Sequence, residues 1–202
     1  MQIAILGTGN VAQTLARRWS AAGHEITFGS RNPASAGALD APVTSLADAV
    51  ARHDVVVNAT PGSASLELAT RIGPAAFAGT VLVDIANAVT PSFELVYPNS
   101  SLAEKLQAAL PDAMVVKTMN TAAMIVMTDP AALPPSSVFV SGDDTAAKAT
   151  VAGLLNDFGW PGESIVDLGG IRSARGPEHY FHMFAAFMQS LGTPKFNIRL
   201  VT

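Results

Sequence analysis

Short apolar runs alternate along this chain with stretches whose apolar residues recur every three or four positions. Residues 2–6 read as a strand, and 10–22 as a helix with Val11, Leu15, Ala16 and Trp19 as its buried stripe, ended by Gly23. A second strand is expected over 24–29, and a short helix over 45–52. The β-branched runs 54–58 and 81–85 have the unbroken apolar character of parallel strands buried on both faces, with a helix between them to about Ile72. Pro91 and Pro98 make 90–100 irregular. A helix over 101–109 follows, with Ser101 as N-cap and Glu104 completing a capping box. Further strands are expected at 113–118, 137–141 and 165–168, a helix at 144–157, and a helix at 177–191 with Pro177 in its first turn. A short strand, 197–201, would close the chain. The alternation predicts an α/β fold with a doubly wound, mostly parallel sheet over 1–167 and a small helix–strand extension over 168–202.

Such sheets bind ligands outside the carboxyl ends of their strands, here the loops 7–12, 30–32, 59–63, 85–88 and 119–122. The first carries Gly7-Thr8-Gly9-Asn10-Val11-Ala12, the G-x-G-x-x-A form of the dinucleotide fingerprint between a strand and a helix. Gly7 permits the tight turn, Gly9 the close approach of a pyrophosphate, and Ala12 the packing of helix on strand. The free amides at the helix start face the anion. An NAD site usually places an acid at the end of the second strand, but Gly29-Ser30-Arg31 stands there and the nearest acid, Glu25, lies at the other end. A hydroxyl and a guanidinium suit the 2′-phosphate of NADP, so the fold expected is a Rossmann domain for NADP(H).

Composition narrows the partners. Of 202 residues, 49% are hydrophobic and 14% charged, with a net charge of −4, which fits a well-buried protein and disfavours nucleic acid. The absence of cysteine removes disulfides, thiol catalysis and zinc–thiolate sites. No apolar run approaches the roughly 20 residues needed to span a bilayer, and the first residues read as a strand, so a cytoplasmic protein without a membrane partner is expected.

The run Ile3–Asn10, then Gly23-His24-Glu25-Ile26 and Gly29-Ser30-Arg31, resembles the NADPH-dependent coenzyme F-420 oxidoreductases. The resemblance continues through Val115–Thr121, Val140–Asp144, Leu191-Gly192 and Phe196–Val201. It implies a Rossmann domain with a small C-terminal extension, often dimeric, that moves hydride between NADPH and an 8-hydroxy-5-deazaflavin. By motif, Thr8, Gly9, Asn10 and Val11 would hold the pyrophosphate, and Ser30 and Arg31 the 2′-phosphate. Thr60 and Pro61, beside Ala59, would lie along the cofactor, with Ala86, Asn87 and Asn120 near the nicotinamide and its partner. The chain lacks the family's frequent extra glycine in the phosphate loop, carries Gly62-Ser63-Ala64 where members have an aromatic-acid-histidine run, and has Asn120 where some have histidine.

Hydride transfer between two rings needs no nucleophile, and none is evident. A carbonyl or imine reductase would want a proton donor. The Tyr-x-x-x-Lys pair is absent, since Tyr180 precedes Phe184 and Tyr97 precedes Ser101 at that spacing. The roughly 35 residues after Asp167 are too few for the helical second domain of a β-hydroxyacid dehydrogenase. A flavin, carbonyl or imine reductase and a non-catalytic NADP sensor or scaffold therefore stay open as alternatives. Lys117, inside a strand, would line the cleft, meet an acidic neighbour or reach solvent. His179 and His182 have metal-compatible spacing but no third ligand; with Thr121 they are candidates for the substrate side. Phe181, Phe184, Met188 and Leu191 form a stripe that is ordinarily core or, on so apolar a helix, a homodimer contact. Arg172, Arg175, Lys195 and Arg199 against Glu178 alone leave the C-terminal end basic, a rim suited to an anionic redox partner.

Overall fold

The apolar runs pair side by side as one eight-stranded sheet in a computed structural model that describes residues 1–201. Its strands are β1 (Gln2–Leu6), β2 (Glu25–Ser30), β3 (Val43–Ser45), β4 (Val55–Asn58), β5 (Val81–Asp84), β6 (Met114–Thr118), β7 (Val138–Ser141) and β8 (Ile165–Asp167). Their order is β3-β2-β1-β4-β5-β6-β7-β8, so the winding direction reverses between β1 and β4. That reversal opens the crevice in which a doubly wound sheet takes its ligand.

Alternate residues of β1 divide the core. Ile3 and Ile5 face α1 (Asn10–Ala21) and α6 (Thr145–Asn156), whereas Ala4 and Leu6 face α2 (Leu46–Ala51), α3 (Gly62–Ile72) and α4 (Leu102–Ala109). On the first face Trp19 is wholly buried, stacks on Phe158 at 4.7 Å, and donates its indole N–H to the Leu154 carbonyl at 3.1 Å. On the second face Leu102, Leu106 and Leu110 pack with Phe77 and Leu82. The buried residues of α1 are Ala12, Leu15, Ala16 and Trp19, close to the stripe read from the periodicity.

Strands β1 to β6 are parallel where they pair, but β7 runs antiparallel to β6. The link from β6 to β7 holds only the four-residue helix α5 (Met124–Met127) and a short 3-10 turn, too little to carry the chain back to the other edge. The 12-residue α6 does so for β8, which is parallel to β7.

The C-terminal segment departs from expectation at two places. The helix expected over 177–191 is two helices, α7 (Arg175–His179) and α8 (Phe181–Leu191). The terminal strand expected over 197–201 does not form. Ser137 instead donates its N–H to the Ile198 carbonyl, and its hydroxyl accepts from the Leu200 N–H, satisfying the tail without a ladder. Nor is the Phe181–Leu191 stripe core. No residue of α8 is buried; Phe187, Met188 and Leu191 are exposed, while Phe93 stacks on Phe181 and Phe196 of the tail packs on Phe184 and Phe187. No described helix is long and apolar enough to cross a membrane.

Candidate active site at the carboxyl ends of the strands

Gly7 leaves β1 with φ +114°, and a Cβ there would stand 2.7 Å from the Ala59 carbonyl oxygen, so the first turn packs directly on the loop after β4. Gln13 donates to the Thr8 carbonyl at 2.9 Å and braces the turn from within α1. Thr8 and Val11 are half-buried, and Gly9 and Asn10 are exposed. Helices α2, α4 and α6 are capped by the side chains of Ser45, Ser101 and Asp144, but α1 starts at Gly9 with no side-chain cap and no acid in its first turn. A Cβ at Gly9 would meet nothing within 4 Å. Unclaimed amides facing open space fit a dinucleotide pyrophosphate.

At the end of β2, the Ser30 hydroxyl accepts from the Asn32 N–H at 3.2 Å. The Arg31 guanidinium is exposed and has no ion-pair partner among the described residues. Glu25, at the opposite end of the strand, accepts from Gln2 at 3.1 Å.

The centre of the site is a row of polar residues near the carboxyl ends of three strands. In register Asn58 of β4 lies beside Asp84 of β5, and Asp84 beside Lys117 of β6. Asn58 donates to Asp84 at 2.8 Å, and its carbonyl accepts from the Thr60 hydroxyl at 2.6 Å and the Ser65 hydroxyl at 3.3 Å. The Lys117 ammonium lies 2.8 Å from Asp84 and 3.0 Å from Glu178 of α7, and donates also to the Ala86 carbonyl. Burial pulls the Lys117 pKa down, but the two carboxylates outweigh it, and the net displacement is upward: the ammonium stays charged. Glu178 in turn accepts the N–H groups of Leu102 and Ala103 at 2.7 and 3.1 Å, at the start of α4.

Above this row Asn87 and Asn120 bind each other. Asn87 donates to the Asn120 carbonyl at 2.8 Å, and Asn120 donates to the Asn87 side chain and the Pro177 carbonyl, each at 2.9 Å. Met119, buried with φ +59°, makes the turn that aims Asn120 there, a conformation costly for a bulky side chain and held by its surroundings. Gly62, opening α3 after Pro61, comes so close that a Cβ would lie 2.2 Å from the Asn87 carbonyl oxygen. The loops bearing Ala59, Thr60, Pro61, Ala86, Asn87 and Asn120 thus meet at one place.

The substrate-side candidates do not all converge. Thr121 lines an apolar cavity of about 180 Å³ with Phe139, Leu168, Gly176, Pro177, Tyr180 and Ile198. His179 lies 3.3 Å from the Ser100 carbonyl and His182 is exposed. Among the described residues no three His, Cys, Asp or Glu side chains gather as metal ligands. Arg172 is exposed, whereas Arg175 spends two N–H groups on Glu104, both at 2.8 Å, and is a clasp between α7 and α4 rather than a free cation on the rim.

That clasp, with help from the Ser101 and Ser100 hydroxyls, holds the Glu104 carboxyl down to about 2 from its usual 4.5. A depressed carboxylate stabilises the fold above its ordinary pKa and loses that contribution as the pH falls through the folded value. Glu104→Gln should therefore lower the melting temperature by a few degrees at pH 7, the deficit shrinking below pH 4.5 and closing near pH 2. A deficit constant across that window in thermal melts would contradict the assignment.

Sequence reasoning missed Asn58, Ser65, Asp84 and Glu178. A signal existed for two of them, since Asn58 and Asp84 are polar residues closing otherwise apolar runs. A family model described as NADP oxidoreductase, coenzyme F-420-dependent, matches residues 2–88. The crystal structure of a candidate F-420-dependent NADP-reductase from Arthrobacter sp. FB24 is 38% identical, with TM-score 0.93 and 100% of both chains covered. The metalloreductase STEAP3 of Rattus norvegicus is 30% identical over 180 residues, which are 86% of this chain and 35% of that protein, so the chain spans about a third of this relative's length. A reductive aminase from Aspergillus terreus, solved with NADPH and ethyl-5-oxohexanoate, shares the fold at 18% identity and TM-score 0.68, covering 95% of this chain and 62% of that one. The chain belongs to the family of coenzyme F-420-dependent NADP oxidoreductases.

Proposed function

We propose that the protein moves hydride between NADPH and a deazaflavin of the coenzyme F-420 type. The observation that carries this reading is that the polar groups at the strand ends are spent on one another. Asn58, Asp84, Lys117 and Glu178 form one bonded chain, and Asn87 and Asn120 another. The Tyr180 hydroxyl is enclosed, and burial raises its pKa. Carboxylates and an ammonium already bound to one another suit transfer between two stacked rings, which asks the protein for alignment and exclusion of water. Reduction of a carbonyl or imine would ask for a proton donor as well.

The cofactor supplies the hydride, and the chain holds it. The amides at Thr8, Gly9, Asn10 and Val11 take the pyrophosphate, Gly7 shapes the turn while its own N–H is bound to the Gly29 carbonyl, and Ser30 and Arg31 take the 2′-phosphate. Ala59, Thr60 and Pro61 flank the cofactor, with Ala86, Asn87 and Asn120 at its nicotinamide end. The segment after residue 167 forms the acceptor side, where Arg172, Lys195 and Arg199 attract the anionic tail of the partner. A homodimer through the apolar α8 gives Phe187, Met188 and Leu191 the cover they lack in one chain. The cytoplasmic NADPH pool is its natural supply.

The test mixes protein and NADPH with oxidised deazaflavin, with FMN, or with carbonyls and imines, and follows the nicotinamide absorbance. Oxidation with deazaflavin alone is expected. Turnover confined to carbonyls or imines would replace this reading with a small-substrate reductase, and NADPH binding without any acceptor would make the protein a sensor. Light scattering on the same sample should give twice the chain mass, and a monomer at micromolar concentration would remove the dimer.

A further inference from the structure

Lys117 places an ammonium inside the core. Its side chain is wholly buried, in a strand position where leucine or methionine would fill the space with no charge to desolvate. Its partners come from three places: Asp84 at the end of β5, the Ala86 carbonyl in the loop that follows, and Glu178 in α7. Each partner leads further. Asp84 binds Asn58 and through it Thr60, in the loop after β4. Glu178 holds the start of α4, and its neighbour Pro177 receives Asn120. The loops on the donor side, 59–61 and 86–87, and the C-terminal segment on the acceptor side are therefore parts of one hydrogen-bonded body, and Lys117 is the only cation inside it among the described residues.

We propose that Lys117 is a positioning residue: by joining Asp84 to Glu178 it ties α7 to the loops around the donor ring and so sets the distance across which hydride passes. This rests on the hydride-transfer reading above. A lysine that merely stabilised the fold would affect melting; one that positions two ring sites must also transmit the state of one to the other.

The test compares the full-length wild type with Lys117→Met. A displacement on the order of 1 Å costs about a hundredfold in rate, so kcat should fall by about that factor while the Kd for NADPH moves less than about threefold. In hydrogen exchange, NADPH should slow exchange over residues 174–182 in the wild type and leave it unchanged in the variant. Because Lys117→Met strands two buried carboxylates, the neutral triple variant Asp84→Asn, Lys117→Met, Glu178→Gln is made alongside it. It should regain melting temperature but neither kcat nor the transmitted protection. Recovery of kcat together with stability, or equal NADPH-induced protection in wild type and folded variant, would overturn the proposal. If the wild type passes hydride to no acceptor, the functional reading fails by itself, and the exchange comparison, which needs only NADPH, still decides whether Lys117 couples the two sides.

Discussion

Gly62→Ala should lower the melting temperature by about 5–10 °C and weaken NADPH binding at least about tenfold, although the same exchange inside a helix ordinarily stabilises. The added Cβ would stand 2.2 Å from the Asn87 carbonyl oxygen, 2.4 Å from its carbon and 2.7 Å from the Ala88 nitrogen. All three are backbone atoms, so no side-chain rotation relieves the overlap. Either α3 or the 86–88 loop must move, and that loop carries both the carbonyl that receives Lys117 and the asparagine that receives Asn120. Overpacking of this kind costs about 1–3 kcal/mol. Gly153 supplies the control. It lies inside α6, where an added methyl would meet nothing within 4 Å, and Gly153→Ala should stabilise by about 0.5–1 kcal/mol with NADPH affinity unchanged. Thermal melts and fluorescence titrations of both variants read this out. Equal stabilisation by the two would show that α3 and the loop are not in contact.

The sheet was legible because its signals are local. Runs such as 55–57 and 81–83 are apolar throughout, the pattern of strands covered on both faces. Strand β3 escaped because three half-buried residues at the sheet edge carry no period. Asn197–Val201 misled for the converse reason: its apolar alternation is that of a strand, but the hydroxyls of Ser136 and Ser137 and the backbone of Ser137 bind the tail at isolated points and no ladder forms. Periodicity located the apolar stripe of α8 and could not say what covers it. A lone chain leaves Met188 and Leu191 in water.

The glycine turn after β1 was legible, because glycine spacing and helix start lie within six residues of one another. At the ends of β4, β5 and β6 the information is distributed. Lys117 could be expected to meet an acid, but Asp84 and Glu178 come from different strands and helices, and only the parallel register sets the first beside it. Arg175 was misjudged for the same reason: counted as part of a basic rim, it is neutralised by Glu104 across the α4–α7 contact. Net charge along a sequence reports what a segment carries and leaves out what it spends on its neighbours.

Arg31 has nothing of that kind to spend its charge on. Its guanidinium is exposed at the end of β2 without an ion pair among the described residues, so its removal should leave the melting temperature where it is. A hydrogen bond to a charged group is worth about 1.5–3 kcal/mol, so losing the grip on a 2′-phosphate should raise the Kd for NADPH about 10- to 100-fold. NADH lacks that phosphate, and its Kd should not change. Ser30→Asp tests the converse. A carboxylate at the end of β2 would accept from ribose hydroxyls and repel the phosphate, and preference should move toward NADH. The nearest natural acid cannot do this, since Glu25 is at the far end of the strand and engaged with Gln2. If Arg31→Ala weakened NADPH and NADH equally, the residue would be contacting the part the two share, and the discrimination would have to lie elsewhere in the 30–35 turn.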